Sequence, residues 1–220
     1  MGINLKDPRC LRFYKKMHEL NLTLLTHAGG EALFPIVIDQ EMGNPLLVRH
    51  ALDQGVQVIM AHSATLGTSF DTDHPLRTRR KNFDLFLRLM KEARYKNLLF
   101  GDIAAVTLIE RMRYLEALLT ESQKGGLLDG RLINGSDYPV SCIPWAISLR
   151  ALQFLGFITS KERKGLRQLF RWNPLLFDFV LKRTIRHPKT GVSFPKDLFI
   201  RHLFPIREHF PCEGCEGIGR

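Results

Sequence analysis

Two histidines and one aspartate occupy matching places in this sequence, each at the end of a short apolar run. His27 closes LTLLTH, His62 closes VQVIMAH, and Asp137 lies in LINGSDYP, where the proline opposes further strand pairing. A carboxylate at the end of a buried strand needs a cation or a hydrogen-bond donor to offset its burial. Imidazole nitrogens and carboxylate oxygens are ligands that zinc and other divalent ions accept. If these three side chains meet, the sequence predicts a site for a divalent metal ion, and zinc is the ion that we expect.

Each histidine taken singly has a plainer interpretation, as a hydrogen-bonded loop residue without a ligand. The metal interpretation therefore depends on the elements that carry these residues, because the three side chains can meet only if the strands before them are neighbours. The shared position of His27, His62 and Asp137 at strand ends favours that arrangement.

Four apolar runs share one design, in which partly β-branched residues lead into a small or polar cluster. They cover residues 22–30, 56–64, 97–105 and 131–139. They are nearly continuous in apolar residues, which is typical of strands buried on both faces. They recur about every 35 to 40 residues, the length of a βα unit, so the sequence predicts an α/β fold with a parallel sheet. In such a sheet all carboxyl ends lie at one edge, where α/β proteins build their sites.

Helix-like segments separate these runs, and capping residues mark their starts. The same pattern places His18, His50 and His187 in helices, away from the strand ends. Two helices are predicted to follow Asp7-Pro8 and Asn44-Pro45, and a third runs through KNFDLFLRLMKEARY, with Phe83, Phe86, Leu87 and Met90 on one face. A fourth helix is predicted over residues 109–119. Three more are predicted to begin near Pro144, after Thr159, where Glu162 completes a capping box, and after Asn173-Pro174.

Composition excludes several classes of protein. The chain has 220 residues, 45% of them hydrophobic and 25% charged, which is ordinary for a folded globular protein. The net charge of +10 would suit nucleic acid, but the basic residues are scattered and no nucleic-acid motif occurs, so we do not expect that partner. The most apolar stretch, NLLFGDIAAVTLI, is too short for a membrane span. Four cysteines, widely spread except for the last pair, and the lack of a signal peptide predict the reducing cytoplasm.

Several of these stretches resemble one family. LLTHAGGE, VIMAHSA, LLFGDI and LINGSDYP look like the fifth to eighth strands of the amidohydrolase superfamily, in the branch of metal-dependent hydrolases and decarboxylases, and WNPLLFDFV resembles the helix that closes such barrels. The resemblance covers about residues 7–187, and GSDYP is its most specific part. It implies that the chain holds strands 5 to 8, the second half, of a (β/α)8 TIM barrel.

The resemblance also implies a reaction and roles for the three residues. The expected enzyme is a metal-dependent hydrolase or decarboxylase, in which metal-activated water attacks a carbonyl or related carbon of a small-molecule substrate. By resemblance, His27 is a metal ligand, and His62 is a second ligand or polarises the water or substrate. Asp137 then binds the metal and serves as the catalytic acid and base that moves the proton of the water.

One departure from the family changes this expectation. The His-x-His pair that the family carries on its first strand has no counterpart in the chain. We therefore expect the chain to carry only part of the site, as the product of a truncation, a split gene or an internal start. Its partner would be a second copy or a separate chain with the missing half of the barrel. The alternative is a non-catalytic remnant or binding subunit of the same fold.

Two further features are open to functional interpretations. The long loop after His62 contains Arg77, Arg79 and Arg80, which could hold a substrate carboxylate or could simply be solvated. The sequence pattern predicts a barrel-like domain over residues 1–188 and an extension over residues 189–220.

The extension contains a Cys-x-x-Cys, which raises the prospect of a small zinc site, although a redox-idle tail fits the irregular histidine spacing better. A nucleic-acid adaptor that uses this tail is the third and most distant interpretation of the chain. The residues concerned are His202, His209, Cys212 and Cys215.

Overall fold

The chain folds around a parallel sheet flanked by helices. The computed structural model describes residues 3–30 and 40–201. The strands in chain order are β1 (Leu24–His27), β2 (Val58–Ala61), β3 (Thr68–Phe70), β4 (Arg79–Lys81), β5 (Leu99–Asp102) and β6 (Leu132–Ile133). Four of them form the parallel sheet in the order β1-β2-β5-β6, and β3 pairs with β4 as an antiparallel hairpin. The predicted α/β class and parallel sheet are confirmed. Which strands of a barrel these four represent stays a prediction.

The parallel strands follow the chain in strict order. In the register of the sheet, Leu24 lies opposite Val58, Val58 opposite Leu99, and Gly101 opposite Leu132. Each of the four apolar runs of the sequence contains one of these strands. Because all four strands point the same way, their carboxyl ends lie at a single edge of the sheet.

The described part of the chain also contains seven α-helices. They are α1 (Pro8–Glu19), α2 (Arg49–Leu52), α3 (Asn82–Lys91), α4 (Leu115–Glu121), α5 (Leu149–Phe154), α6 (Ser160–Trp172) and α7 (Pro174–Thr184). None of the helices in these residues has the length and apolar character that crossing a membrane requires.

The predicted helix starts are confirmed where a capping residue marked them. The Asp7 side chain accepts a hydrogen bond from the Arg9 N–H at the start of α1. Asn44 caps a short 3-10 turn, Pro45–Val48, that leads into α2. Thr159 and Glu162 form a complete capping box at α6. Asn173 caps α7, whose first residue is Pro174.

Two of the predictions that lacked a capping signal were less accurate. The helix expected over residues 109–119 begins only at Leu115, because buried Arg111 donates to Thr65 and the Ile109 N–H donates to the Ala146 carbonyl, which hold the preceding turns. The helix expected near Pro144 begins at Leu149, where Ser148 supplies the N-cap.

His18 and His50 lie in α1 and α2 as predicted, but the helix prediction for His187 was wrong. His187 follows the end of α7, where the 186–193 segment turns back on itself. Its ring Nδ1 accepts hydrogen bonds from the N–H groups of Lys189 and Thr190.

The hydrophobic core lies between the sheet and the helices. As the sequence predicted, α3 buries Phe83, Phe86 and Met90, and Leu87 is half-buried at the margin of this face. The core extends beyond α7, because Phe194 and Leu198 are also buried in it. The predicted boundary between residues 188 and 189 stays a prediction.

Candidate functional site

The three residues predicted from the strand ends lie at the carboxyl edge of the parallel sheet. His27 is the last residue of β1, His62 directly follows β2, and Asp137 lies in the loop after β6. The imidazole rings of His27 and His62 meet edge to face, with their centroids 5.3 Å apart and their planes at 66°. The fold therefore brings the two histidines into direct contact.

The turn after β2 has an uncommon backbone. His62, Ser63 and Ala64 have φ angles of 58°, 49° and 51°, so three successive non-glycine residues adopt the left-handed conformation. Each such residue costs on the order of 1 kcal/mol, and the surrounding structure must hold it in place. Backbone strain of this kind collects at functional sites, which is a second reason to regard this turn as functional.

Asp102, at the end of β5, holds this turn in place. Its Oδ1 atom accepts the backbone N–H of His62 at 2.6 Å and that of Ala104 at 3.0 Å. The Ser63 hydroxyl donates to the Asp102 backbone carbonyl at 2.7 Å. Burial raises the pKa of the Asp102 carboxyl to about 6, although the two N–H groups oppose the shift. The ends of β2 and β5 are thus joined through one buried carboxyl group.

His62 is neutral and has a defined tautomer. Burial lowers its pKa to about 3, and the nearby charges of Arg111 and His27 act in the same direction. The ring Nδ1 lies 3.1 Å from the Ala104 carbonyl oxygen, which can only accept a hydrogen bond. Nδ1 therefore carries the proton, and Nε2 presents a lone pair that can accept a hydrogen bond or bind a metal.

A buried lysine stands among these groups. Lys182, on α7, is fully buried, and its ammonium donates to Asp178 Oδ2 and to the Gly135 carbonyl, each at 2.6 Å. The ammonium also lies within electrostatic reach of Asp102 and Asp137. Burial lowers the pKa of Lys182 and raises the pKa of Asp178, while the attraction between the two opposes both shifts.

Asp137 lies in the loop that Lys182 holds. Its side chain is half-buried, its φ is 55°, and its backbone carbonyl accepts the Val140 N–H at 2.8 Å. Gly135, two residues earlier, packs against Asp102, since a Cβ atom added there would lie 3.2 Å from Asp102 Oδ2. This close approach leaves little room for a side chain at the position before Ser-Asp-Tyr-Pro. We use the name strand-end cluster for His27, His62, Asp102, Asp137 and Lys182.

The three arginines predicted to contact a substrate lie on or beside the β3-β4 hairpin and are exposed. Arg79 donates to Thr68 and stacks over the Phe70 ring, 4.8 Å from its centroid. Arg80 Nε lies 3.2 Å from Asp71 Oδ2. Arg77 has a φ of 43° in the turn of the hairpin. Arg79 and Arg80 thus have contacts within or beside the hairpin that do not require a substrate. The substrate role of all three arginines stays a prediction.

The predicted metal has no complete ligand set in the part of the chain that the structure describes. Within residues 3–30 and 40–201, no group of three or more His, Cys, Asp or Glu side chains is arranged to hold a metal ion. The His27 and His62 rings are in contact with each other, and the Lys182 ammonium acts electrostatically on both His62 and Asp137. Zinc or another divalent ion stays a prediction, and Cys212 and Cys215 lie outside the described residues.

The sequence interpretation omitted two members of the strand-end cluster. Asp102 offered a usable signal, because it ends the third apolar run just as His27 ends the first. Lys182 and Asp178 offered a weaker one, a cation and an acid four residues apart on a largely apolar helix. That spacing alone is also typical of a solvated helix face, and only the fold shows that this pair is buried.

The comparisons with known proteins do not identify a family for this chain. No protein-family model matches the sequence, and no curated protein matches it significantly. Among solved structures, the chain is similar to a Pseudomonas putida protein provisionally named a 2-pyrone-4,6-dicarboxylic acid hydrolase, with 16% sequence identity and a TM-score of 0.44. The match covers 78% of this chain and 59% of that protein.

Proposed function

We propose that this chain supplies part of a hydrolase site of the amidohydrolase type, in which water attacks a carbonyl or related carbon of a small molecule. The proposal is carried by one observation, the convergence of two imidazoles, two carboxyl groups and a buried ammonium at the carboxyl edge of a parallel sheet. Grouped titratable side chains with shifted pKa values at such an edge are typical of catalytic sites.

In this proposal four groups of the cluster have distinct tasks. Asp137 accepts a proton from the attacking water and returns it to the leaving group. The Lys182 ammonium attracts the Asp137 carboxylate and so favours its ionised, basic form. His62, neutral and with a lone pair on Nε2, accepts a hydrogen bond from the water and fixes its orientation. Asp102 positions His62 through the backbone.

The resemblance to the amidohydrolase superfamily also implies a divalent metal ion, and zinc is the ion that we expect. Within the described residues, no group of three or more His, Cys, Asp or Glu side chains is arranged to hold it. The proposed proton transfers therefore use only groups of the chain. Measurement of bound metal is accordingly a separate part of the test.

We further propose that the chain works with a partner, either a second copy or a chain that carries the remaining half of the barrel. β1 and β6 are the outer strands of the described sheet, and Leu25 on β1 is 63% exposed. An outer strand with an exposed apolar side chain recruits another chain readily. The alternative function, a non-catalytic remnant or binding subunit, shares this surface and differs only in turnover.

The test compares the chain produced alone with the tagged chain recovered from its native cells together with its associated proteins. Metal content after dialysis, sedimentation, and turnover of a panel of amides, lactones and carboxylates are measured on both. We expect weak zinc binding and little turnover from the chain alone, and both to rise in the associated form. Asp137→Asn should then reduce turnover by about a hundredfold or more, because an amide cannot accept the proton.

The matched control is Asp84→Asn, which removes the same charge from an exposed position on α3. Clear turnover and near-stoichiometric metal in the chain alone would contradict the partial-site proposal. An associated form without turnover on any of these substrates would favour the non-catalytic alternative. Equal turnover in wild type and Asp137→Asn would contradict the role of Asp137.

A further inference from the structure

A cleft of about 510 Å³ lies where the start of α5, one face of α6 and the first turn of α7 meet. Four of its lining residues are arginines, and no aspartate or glutamate lines it. None of the strand-end cluster lines it either, so the cleft shares no lining residue with the proposed hydrolase site. The arginines are Arg150, Arg163, Arg167 and Arg171.

The positions of these arginines follow from helix geometry. Arg163, Arg167 and Arg171 are four residues apart on α6, and therefore lie along one face of that helix. Arg150, in the first turn of α5, is the fourth arginine of the lining. The sequence thus places four arginines in the lining of one concavity, although like charges at this spacing oppose helix formation slightly.

These four guanidinium groups have no acidic partner within the described residues. Other arginines of the chain do find one, as Arg88 shows by donating to both carboxylate oxygens of Asp71 at 2.7 and 2.9 Å. Arg163 is half-buried, and its Nε has no hydrogen-bond partner in the described part of the chain. Clustered cations without counter-charges repel one another, and a bound anion would relieve that repulsion.

The floor of the cleft is apolar. Phe170 and Phe177 meet edge to face there, with ring centroids 5.0 Å apart. Ile147 and Leu149 line the wall contributed by the segment before α5 and by its first residue. An apolar floor next to a row of guanidinium groups suits a ligand that has both an apolar body and an oxyanion.

We propose that this cleft binds a small organic anion, with an apolar body the size of an aromatic ring system and a phosphate or carboxylate group. The apolar body contacts Phe170 and Phe177, and the oxyanion accepts paired hydrogen bonds from the arginines of α6 and α5. The volume is within the range of about 300–1,000 Å³ that small-molecule sites occupy.

The distribution of charge on α6 favours a small ligand over a macromolecule. Lys161 and Lys164 are exposed on the same helix and do not line the cleft. A membrane surface or a nucleic acid would be attracted by these lysines as well as by the arginines. The oxyanion of a small ligand inside the cleft would contact the arginines and not these two lysines.

The test is a calorimetric titration of the full chain with 1-naphthyl phosphate, with inorganic phosphate and 1-naphthol as the two halves of the probe. We expect 1-naphthyl phosphate to bind at least about tenfold more tightly than either half. Arg167→Glu with Arg171→Glu should weaken its binding by about tenfold or more, since two charge-assisted donors are lost and reversed. Lys161→Glu with Lys164→Glu is the matched control, because it makes the same change of charge on the same helix.

We expect the lysine pair to change binding by less than about threefold, the size of a screened long-range effect. Equal weakening in both pairs, binding of inorganic phosphate as tight as that of the naphthyl ester, or no binding by wild type would overturn the proposal. The proposal would also be overturned if wild type bound phosphatidylglycerol vesicles or a DNA duplex and if both the arginine and the lysine substitutions abolished that binding. If the charge-reversed pair fails to fold in a thermal melt, Arg167→Gln provides the same comparison against Lys164→Gln.

Discussion

The backbone N–H of His62 donates to Asp102 Oδ1 at 2.6 Å, across 40 residues of sequence. This bond joins the end of β2 to the end of β5 and supports a turn of three left-handed residues. The same carboxylate oxygen also accepts the Ala104 N–H, and the Ala104 carbonyl accepts from the His62 ring. One buried carboxyl group therefore sets both the backbone and, indirectly, the tautomer of the candidate catalytic histidine.

We expect Asp102→Ala to destabilise the fold by about 2–4 kcal/mol, because it leaves the buried N–H groups of His62 and Ala104 without an acceptor. Asp102→Asn keeps an oxygen at that place and should cost less. Urea unfolding monitored by circular dichroism provides the free energies. Asp84→Ala, at an exposed site on α3, should change stability by no more than about 0.5 kcal/mol. Similar losses in Asp102→Ala and Asp84→Ala would show that Asp102 does not hold the turn.

His62 should remain neutral, with the proton on Nδ1, throughout the range from about pH 5 to pH 8, since burial lowers its pKa to about 3. Nitrogen-15 correlation spectra of the imidazole rings distinguish a protonated Nδ1 from an unprotonated Nε2 directly. His62→Gln identifies the signals that belong to this ring. A titration of those signals within that range, or a proton on Nε2, would refute the assignment.

Local sequence rules predicted the elements of this fold well. The four apolar runs each contain a strand, and the capping residues Asp7, Asn44, Thr159 and Asn173 each mark a helix start. These features depend on neighbouring residues, so the sequence alone contains the necessary information. The start of α4 was missed because Arg111 contacts Thr65, which is 46 residues away in the sequence.

The candidate site was predictable only in part for the same reason. His27, His62 and Asp137 stand out because each closes an apolar run. Lys182 does not, since its importance comes from a hydrogen bond to the carbonyl of Gly135, 47 residues earlier. A hydrogen bond to a backbone carbonyl cannot be predicted from residue types, because every residue has that carbonyl. The burial of an ammonium group likewise cannot be predicted from the neighbouring residues in the sequence.

The ion pair of Asp71 and Arg88 should make stability depend on acid pH. The hydrogen bonds from Arg88 lower the pKa of Asp71 from 3.8 to about 2. The folded state therefore releases this proton more readily than the unfolded chain, so the stabilisation is present above about pH 4 and is lost as the pH falls to about 2. Because Arg88 is partly exposed, we expect a contribution of about 1 kcal/mol. Arg88→Gln should flatten the acid side of the stability curve measured by urea unfolding, and an unchanged slope would argue against the pair.

The buried pair of Lys182 and Asp178 offers the sharpest separation of structure from catalysis. Lys182→Met leaves the Asp178 carboxylate buried without its cation, which should cost about 3–5 kcal/mol. Asp178→Asn with Lys182→Met removes both charges together, so most of that loss should be recovered. The four proteins of this double-mutant cycle are compared by urea unfolding at neutral pH.

The cycle also tests whether Lys182 acts on the loop that carries Asp137. If the ammonium holds that loop through the Gly135 carbonyl, the doubly substituted protein should regain stability but not the loop geometry. Amide exchange at residues 135–140 should then remain faster than in wild type, because exchange reports local opening rather than global stability. If the associated form of the wild type turns over a substrate, the turnover rate of the doubly substituted protein should stay low. Restored loop protection and restored turnover would show that Lys182 serves only to neutralise Asp178.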